Sequence, residues 1–509
     1  METPTDEIKN GPSSSSPIVS ETSIVASTKP DDDDITAYTT MMMTEEERGL
    51  EKKLLRKQDI RMIPWLSLLY LMLSLDRNNI GNARLGGLEQ DLHMEGNDYY
   101  TALTIFFAGY VIFHIPSNLL VKRLRPSFWI SFTMVMWGIC SFCQAFTHNA
   151  AGLIACRFFL GIFECGVGPS LPFFLSLWYQ KDELALRVAI YFGSSTLAGA
   201  FSGAIAYGVL ATLNGAHGIA GWRWIFIVEA VPTIALGLLS VMMIPDLPTS
   251  VNRRWLTSEE QELAIKRATI SGNTDNRPFD KKQLFAALMD YKNWLTVIIY
   301  VGLNVALGSY AVFLPTIIRD LGFTSLNAQL LSIPPYAVAC CLVFLVSWNS
   351  DRIVQRGYHI MTMASIGALG YIFLLASENL GLRYTGAILV ACGIYPIIPL
   401  TLSWLSNNQL GHTKRGVAIA MVSMIAQAFA ILGTQIYRTE DSPRFIRGHA
   451  VCLAFMILTG LTAGLLRFLL QRENKKRDRE YGINTIKDLS SLQDIDILYD
   501  SHPQFRYTL

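Results

Sequence analysis

The stretch Trp222-Arg-Trp-Ile-Phe-Ile-Val-Glu-Ala-Val-Pro-Thr-Ile-Ala-Leu-Gly-Leu-Leu-Ser-Val-Met-Met-Ile244 decides the fold class. A run of about 20 predominantly apolar residues is the length a helix needs to cross a bilayer. Twelve such stretches can be drawn: 62–82, 99–121, 128–147, 151–178, 185–211, 222–244, 294–318, 327–348, 359–377, 384–408, 416–437 and 449–470. Those at 62–82, 151–178 and 384–408 are interrupted by polar residues or Pro. Composition agrees. Of 509 residues, 51% are apolar and only 16% charged, against about 25% charged in ordinary soluble chains. Mean hydropathy is +0.31. So apolar a chain cannot hide its surface in one aqueous core. The net charge of +1 supplies no global field toward nucleic acid. Eight cysteines, all within apolar stretches, exclude a secreted disulfide scaffold. The expected fold is an all-α membrane protein with twelve transmembrane helices, solvated by the lipid bilayer.

Lys and Arg in the connections set the orientation. With both termini inside, 29 basic residues fall on the cytoplasmic side and six outside. The 438–448 loop, with Arg438, Arg444 and Arg447, runs against the trend. The 245–293 connection is much longer than the others and splits the spans six and six, the layout of a two-lobe transporter with a site between the lobes. The expected organisation is a disordered cytoplasmic tail at 1–44, a six-helix lobe at 45–244, a cytoplasmic loop at 245–293, a second six-helix lobe at 294–470 and a cytoplasmic tail at 471–509. The Ser-, Thr- and Asp-rich residues 1–44 show no cleavable signal peptide.

Asp76, Arg77, Arg157 and Glu164 stand well inside the first and fourth spans. Each costs about 2.5–3.5 kcal/mol at a helix centre on insertion scales. Such groups face the bundle interior and pair. Asp76 and Arg157 each lie about 9 Å from the outer end of their spans, and Glu164 lies about 10 Å deeper. This predicts an interhelical Asp76–Arg157 pair, with Glu164 more isolated and within reach of Arg77. The functional reading is a proton relay in which a carboxylate alternates between paired and protonated, and a freed arginine grips a substrate carboxylate. A fixed network holding two helices together is the alternative.

The second half has no such cluster. Asn304, Ser309 and Tyr310, with Ser403, Asn407 and Asn408, could hydrogen-bond a substrate, or serve as interhelical glue or helix ends. Tyr110 and His114 lie one turn apart in the second span. Arg223 and Glu229 read as structurally paired. Gly199 and Gly203 read as a packing face. Gly166, Gly168, Pro169 and Pro172 should break the fourth span just below Glu164. Cys140 and Cys143 are a chance spacing. No Walker loop, dinucleotide motif or metal cluster is present, so no cofactor, no ATP use and no enzyme activity are expected.

The motifs resemble those of a known family. Twelve spans, the long central loop and Asp351-Arg-x-x-x-Arg-Gly357 are similar to the major facilitator superfamily. Leu75-Asp-Arg-Asn-Asn-Ile-Gly-Asn82, Phe113-His-Ile-Pro-Ser-Asn118, Arg157-Phe-Phe-Leu-Gly-Ile-Phe-Glu164 and Gly221-Trp-Arg-Trp-Ile-Phe-Ile-Val-Glu229 resemble its anion:cation symporters. Gly411-His-Thr-Lys-Arg415 and Phe505-Arg-Tyr-Thr-Leu509 resemble the fungal allantoate permease branch, which includes nicotinate, pantothenate, biotin and allantoate carriers. The resemblance implies proton-coupled uptake of a small organic anion across the plasma membrane by a monomer. It implies Asp76 and Glu164 as protonated sites and Arg77 and Arg157 as anion-binding or salt-bridging. Asp351, Arg352 and Arg356 would latch the cytoplasmic side. In the first-half copy of that motif Val121 replaces the Asp. The span-four run Cys165-Gly-Val-Gly-Pro-Ser-Leu-Pro-Phe173 departs from the family's usual pattern beside the site. Export of an organic-acid or secondary metabolite would use the same carboxylates. A non-transporting nutrient sensor would need longer signalling tails.

Overall fold

The computed structural model describes residues 45–168, 170–179, 181–246, 255–270, 281–409, 412–481 and 505–509. The tail 1–44, the unbroken reading of 245–293, residues 482–504 and the side chain of Val121 lie outside the described residues. Every regular element among them is helical. The first half comprises α1 (Glu45–Leu85), α2 (Asp98–Arg123), α3 (Pro126–Gln144), α4 (Ala150–Glu164), α5 (Ser170–Trp178), α6 (Lys181–Thr212) and α7 (Gly221–Met243). The connection carries α8 (Ser258–Ile270) and α9 (Lys281–Met289). The second half comprises α10 (Tyr291–Asp320), α11 (Ser325–Leu331), α12 (Ile333–Ile353), α13 (Arg356–Ala376), α14 (Leu380–Asn407), α15 (His412–Gln435) and α16 (Ile446–Tyr481).

Among the described residues, nine helical stretches are long and apolar enough to cross a membrane: α3, α6 from Ile190, α7, α10, α11 with α12, and α13 to α16. The other three expected spans fall on α1, α2 and the α4–α5 pair. On α1 the run Asp76-Arg-Asn-Asn79 dilutes the apolar stretch, and α4 (15 residues) and α5 (9 residues) are each too short to cross alone. Large apolar side chains such as Phe132, Leu238, Met242, Leu461 and Phe468 point outward, as lipid solvation requires and water would not.

In the first half α1 packs on α6 and α7, α2 on α4, and α3 on α4 and α7. In the second, α10 packs on α15 and α16, α13 on α14 and α16, and α12 on α14. The halves meet where α1 crosses α10, α2 crosses α15, and α6 crosses α11 and α12. Gly199 and Gly203 form the last of these crossings. A Cβ on Gly199 would lie 2.3 Å from the Tyr336 ring, and one on Gly203 2.4 Å from the Ser332 hydroxyl. The expected packing face is therefore a seam between the halves.

Hydrogen bonds between the halves cluster at one end, here termed the far face, where 85–97 and 438–446 lie. The Tyr100 hydroxyl donates to the Tyr437 carbonyl (3.0 Å) and accepts from the Thr439 amide (2.7 Å). The Gln435 amide donates to Thr104 Oγ1 (2.6 Å), which lies 3.2 Å from Thr434 Oγ1. Gln329 donates to the Asn82 carbonyl (3.2 Å). Arg84 closes the seam from within, its guanidinium 4.4 Å from the Tyr99 ring and 6.0 Å from that of Phe313.

The opposite, near face ties each half together separately. Thr257 and Glu260 form a reciprocal cap for α8: the Thr257 amide donates to Glu260 (2.9 Å) and the Glu260 amide to Thr257 Oγ1 (3.3 Å). From there Lys57 reaches Glu260 (2.7 Å), and Arg267 pairs with both Glu51 and Glu183. Arg187 pairs with Asp59 (2.7 Å). In the second half, Phe505–Leu509 does not behave as a loose tail. Phe505 and Tyr507 are buried. The Thr508 carbonyl accepts from Trp404 Nε1 (2.8 Å) and Asn408 (3.0 Å), and the Leu509 carbonyl from the Arg356 amide (2.6 Å). Tyr507 Oη accepts from Lys292 (2.7 Å).

Candidate functional site

The site is built where α1, α2, α3 and α4 converge. Asp76 and Arg77 are successive on α1, so their side chains leave the helix about 100° apart. Asp76 turns to α3. Its carboxylate accepts from Trp137 Nε1, from Ser141 Oγ (2.8 Å) and from Asn79 Nδ2 one turn along α1 (3.3 Å). Trp137 and Ser141 are four residues apart on one face of α3, the spacing that lets both donors meet one acceptor. Asp76 is only 2% exposed.

Arg77 turns the other way. Its Nε pairs with Glu164 Oε1 at the end of α4. Its guanidinium lies 5.2 Å from the Tyr110 ring and 5.7 Å from the Phe106 ring, both on α2. Arg77 keeps about a quarter of its side chain open (26%), whereas Glu164 is fully buried. Glu164 Oε2 has no partner among the described residues. The chain turns just after Glu164, as the Gly and Pro pattern predicts: α4 stops there and α5 begins at Ser170. Close approach requires both glycines. A Cβ on Gly166 would meet Thr133 at 2.4 Å, and one on Gly168 the Tyr110 hydroxyl at 2.7 Å.

The expected Asp76–Arg157 pair does not form. Asp76 faces α3 instead and is satisfied by neutral donors. Arg157 lies two turns before Glu164, buried, with Nε and Nη2 unpartnered among the described residues. Its guanidinium sits 6.0 Å from the Phe106 ring. One ring thus contacts both arginines, one paired and one with free donors. The other part of that expectation, Arg77 within reach of Glu164, is what the structure shows.

The other candidates divide. Tyr110 and His114 join the cluster, their rings 5.8 Å apart, and His114 Nδ1 is buried without a partner among the described residues. Asn304 donates to the Tyr300 carbonyl of its own helix (2.9 Å), and Ser309 to those of Val305 and Ala306. Tyr310 Oη donates to the Ala387 carbonyl (2.8 Å). These three are engaged in packing α10. Asn407 is exposed at the near end of α14, away from the cluster, because α14 runs on past the membrane interior. Asn408 beside it binds Thr508. Arg223 does pair structurally, but with Asp91 (2.9 Å), not with Glu229. Arg356 pairs with Asp351 (2.7 Å) and Arg352 lies 5.7 Å from the Trp348 ring, so these three stay within the α12–α13 corner.

Sequence reasoning missed Trp137, Ser141, Asn79 and Phe106. On α3 a Trp and a Ser four residues apart in an apolar helix look like packing. Only the i, i+4 spacing of two donors hinted at a buried acceptor. Further polarity comes from an aromatic lining toward the second half: Tyr70 lies 5.1 Å from Phe192, and Phe192, Ser195, Thr196 and Tyr395 line a pocket between α6, α12 and α14.

Paired and unpaired charges held between helices of a bundle, with a seam closed at one end, suit a small-molecule carrier. Known proteins agree. The chain is 39% identical to the MFS transporter prlL of a fungal species over 442 residues, covering 85% of this chain and 89% of that protein. It is 32% identical to the high-affinity nicotinic acid transporter of Saccharomyces cerevisiae over 461 residues, covering 90% and 85%. In fold it matches a bacterial homolog of the human lysosomal transporter Spinster in an inward-facing and occupied conformation, with a TM-score of 0.61 at 16% identity over 81% of this chain and 97% of that one. Residues 66–434 match the Major Facilitator Superfamily, and the chain belongs to that family of multi-pass membrane transporters.

Proposed function

We propose that this chain is a proton-coupled carrier of a small organic anion, of the anion:cation symporter type and its allantoate permease branch. It takes its substrate up across the plasma membrane as a monomer with twelve spans and both termini cytoplasmic. The observation that carries the reading is the pair of guanidiniums at the Phe106 ring: Arg77 held by Glu164, Arg157 buried with two donors free. A buried arginine with unused donors favours a carboxylate, which it can grip through two parallel hydrogen bonds. Protonation of Glu164 releases Arg77 from its ion pair, so that both arginines face the incoming anion. Loss of that proton on the near, cytoplasmic side restores the Arg77–Glu164 pair and expels the substrate. Asp76 is the second proton site, held against α3.

The substrate class is a monocarboxylate with a flat ring, as in nicotinate. The Tyr110 ring faces Arg77, Tyr70 leads on to Phe192, and Phe192 and Tyr395 line the neighbouring pocket; the relative that transports nicotinic acid supports the class. The test is uptake of labelled nicotinate by cells expressing the chain, in competition with pantothenate, biotin, allantoate and small dipeptides. Uptake rises at acidic outside pH and collapses with a protonophore. Uptake indifferent to both removes proton coupling from the reading.

A further inference from the structure

Arg84 lies in the last turn of α1 and is only 5% exposed. Its Nη2 pairs with Glu89 (3.1 Å), and its Nη1 has no partner among the described residues. Its guanidinium sits over the Tyr99 ring (4.4 Å), with the Tyr100 ring at 5.8 Å and that of Phe313 at 6.0 Å. A buried cation with an unmet donor is costly to keep.

The arrangement repeats the one around Arg77, displaced toward the far face. Arg77 and Arg84 are seven residues apart on one helix, so they share a face and stand about 10 Å apart along it. Phe106 and Tyr99 are also seven apart, on α2, which runs back from the far face. One step therefore carries both guanidinium and ring: Arg77 at Phe106, Arg84 at Tyr99. Arg157, with its free donors, lies at Phe106 as well.

Arg84 donates no hydrogen bond across the seam among the described residues. Tyr100, Gln435 and Gln329 do that. The ion pair of Arg84 stays in its own half, and the ring of Phe313 is what reaches it from the other. Arg438, 4.7 Å from the Tyr100 ring, has all three nitrogens engaged, Nε and Nη2 with Gln435 and Nη1 with Asn97. Of the two arginines at that ring, Arg84 is the one with a nitrogen to spare.

We propose that Arg84 is an outer station for the substrate, where the carboxylate of an anion entering from the far face binds before it reaches Arg77 and Arg157. This rests on the anion-carrier reading above. When the halves part at the far face, Phe313 leaves with the second half, and Arg84 stays with Tyr99, Tyr100 and Glu89. The carboxylate takes Nη1 first. It then displaces Glu89 from Nη2, which completes a two-bond grip. Glu89, whose side chain is already 26% exposed, turns to water. Phe106, two turns deeper along α2, marks the next station, where Arg157 waits with free donors.

Saturation curves for labelled nicotinate, taken separately in right-side-out and inside-out vesicles carrying the full-length protein, test the station. Arg84→Gln raises the half-saturating concentration about 10-fold from one side only, the worth of a charge-assisted hydrogen bond. Arg84→Lys, which keeps the charge and loses the fork, falls between. Glu89→Gln lowers the half-saturating concentration from that same side. A slower maximal rate with half-saturation unmoved makes Arg84 a closing element and overturns the station, as does an equal rise from both sides. Where Arg84→Gln does not reach the membrane, Glu89→Gln decides: a fall from one side supports the station, and no change from either side overturns it. A wild-type chain that moves no nicotinate overturns the carrier reading and the station together. Wild-type transport with Arg84→Gln saturating normally from both sides overturns the station alone.

Discussion

Arg77 of α1 and Glu164 of α4 hold each other across the first half, while Asp76, one residue before Arg77, answers to a different helix. The two acids of this region are therefore in unlike environments: one ion-paired, one bound only by neutral donors. Replacing Glu164 by Gln removes the charge but keeps an acceptor for Arg77. Accumulation of labelled nicotinate against its gradient is abolished, while exchange of internal for external substrate persists. Wild-type accumulation in Glu164→Gln would remove that carboxyl from the proton path.

Arg77 and Arg157 are separable by what their loss leaves behind. Arg157 has two free donors, so Arg157→Ala leaves no carboxylate stranded and weakens substrate binding about 10–100-fold, the worth of a charge-assisted hydrogen bond of about 1.5–3 kcal/mol. Arg77→Ala strands Glu164 in the interior and costs about 3–5 kcal/mol of stability. Both variants should weaken binding in substrate-concentration curves, and only Arg77→Ala should lower the Tm of the purified protein.

The far-face seam offers a lock. Thr104 and Thr434 place their hydroxyls 3.2 Å apart across the two halves. Cysteines at both positions, with sulfurs in place of these adjacent hydroxyls, should oxidise to a disulfide. The oxidised double variant stops transporting and regains activity with reductant; the single variants do neither.

Tyr507 accepts from Lys292 and from Arg477 (3.2 Å) and is itself buried. Tyr507→Ala should cost about 3–5 kcal/mol, as for other buried aromatic truncations. The loss reads as a lower Tm in detergent, with Tyr507→Phe intermediate.

Glu260 lies outside the membrane-spanning helices. Burial pushes its carboxyl up, but Lys57 and the Thr257 amide win and hold it below the usual carboxylate range. Its folded-state value is depressed, so its contribution to stability is present at neutral pH and lost as pH falls through the acid range. Lys57→Ala should narrow the difference in Tm between pH 7 and pH 4 relative to wild type.

Much of this molecule was legible in its sequence. Length and hydropathy place the helices, and the Gly and Pro run after Glu164 marks the break where α4 ends. Depth arithmetic put Asp76, Arg77 and Arg157 near one level. What it could not supply was azimuth. Whether Asp76 faces α3 or α4 depends on how three helices are rotated against one another, and a 100° step between neighbours is enough to send Asp76 to Trp137 and Arg77 to Glu164. The polar residues of α10 misled for a related reason. Asn304 and Ser309 satisfy themselves on carbonyls one turn back, which no spacing rule distinguishes from residues waiting for a ligand.

The near-face ties have a mechanical corollary. Lys57, Arg187 and Arg267 bind the first half's helix ends to one another, and Phe505–Leu509 does the same for α10, α13, α14 and α16. Each jaw is splinted on its own. A splinted jaw rocks as one piece, so compliance is left to the bearings at α1–α10, α2–α15 and α6–α12, where Gly199 and Gly203 form a smooth pivot with Tyr336 and Ser332.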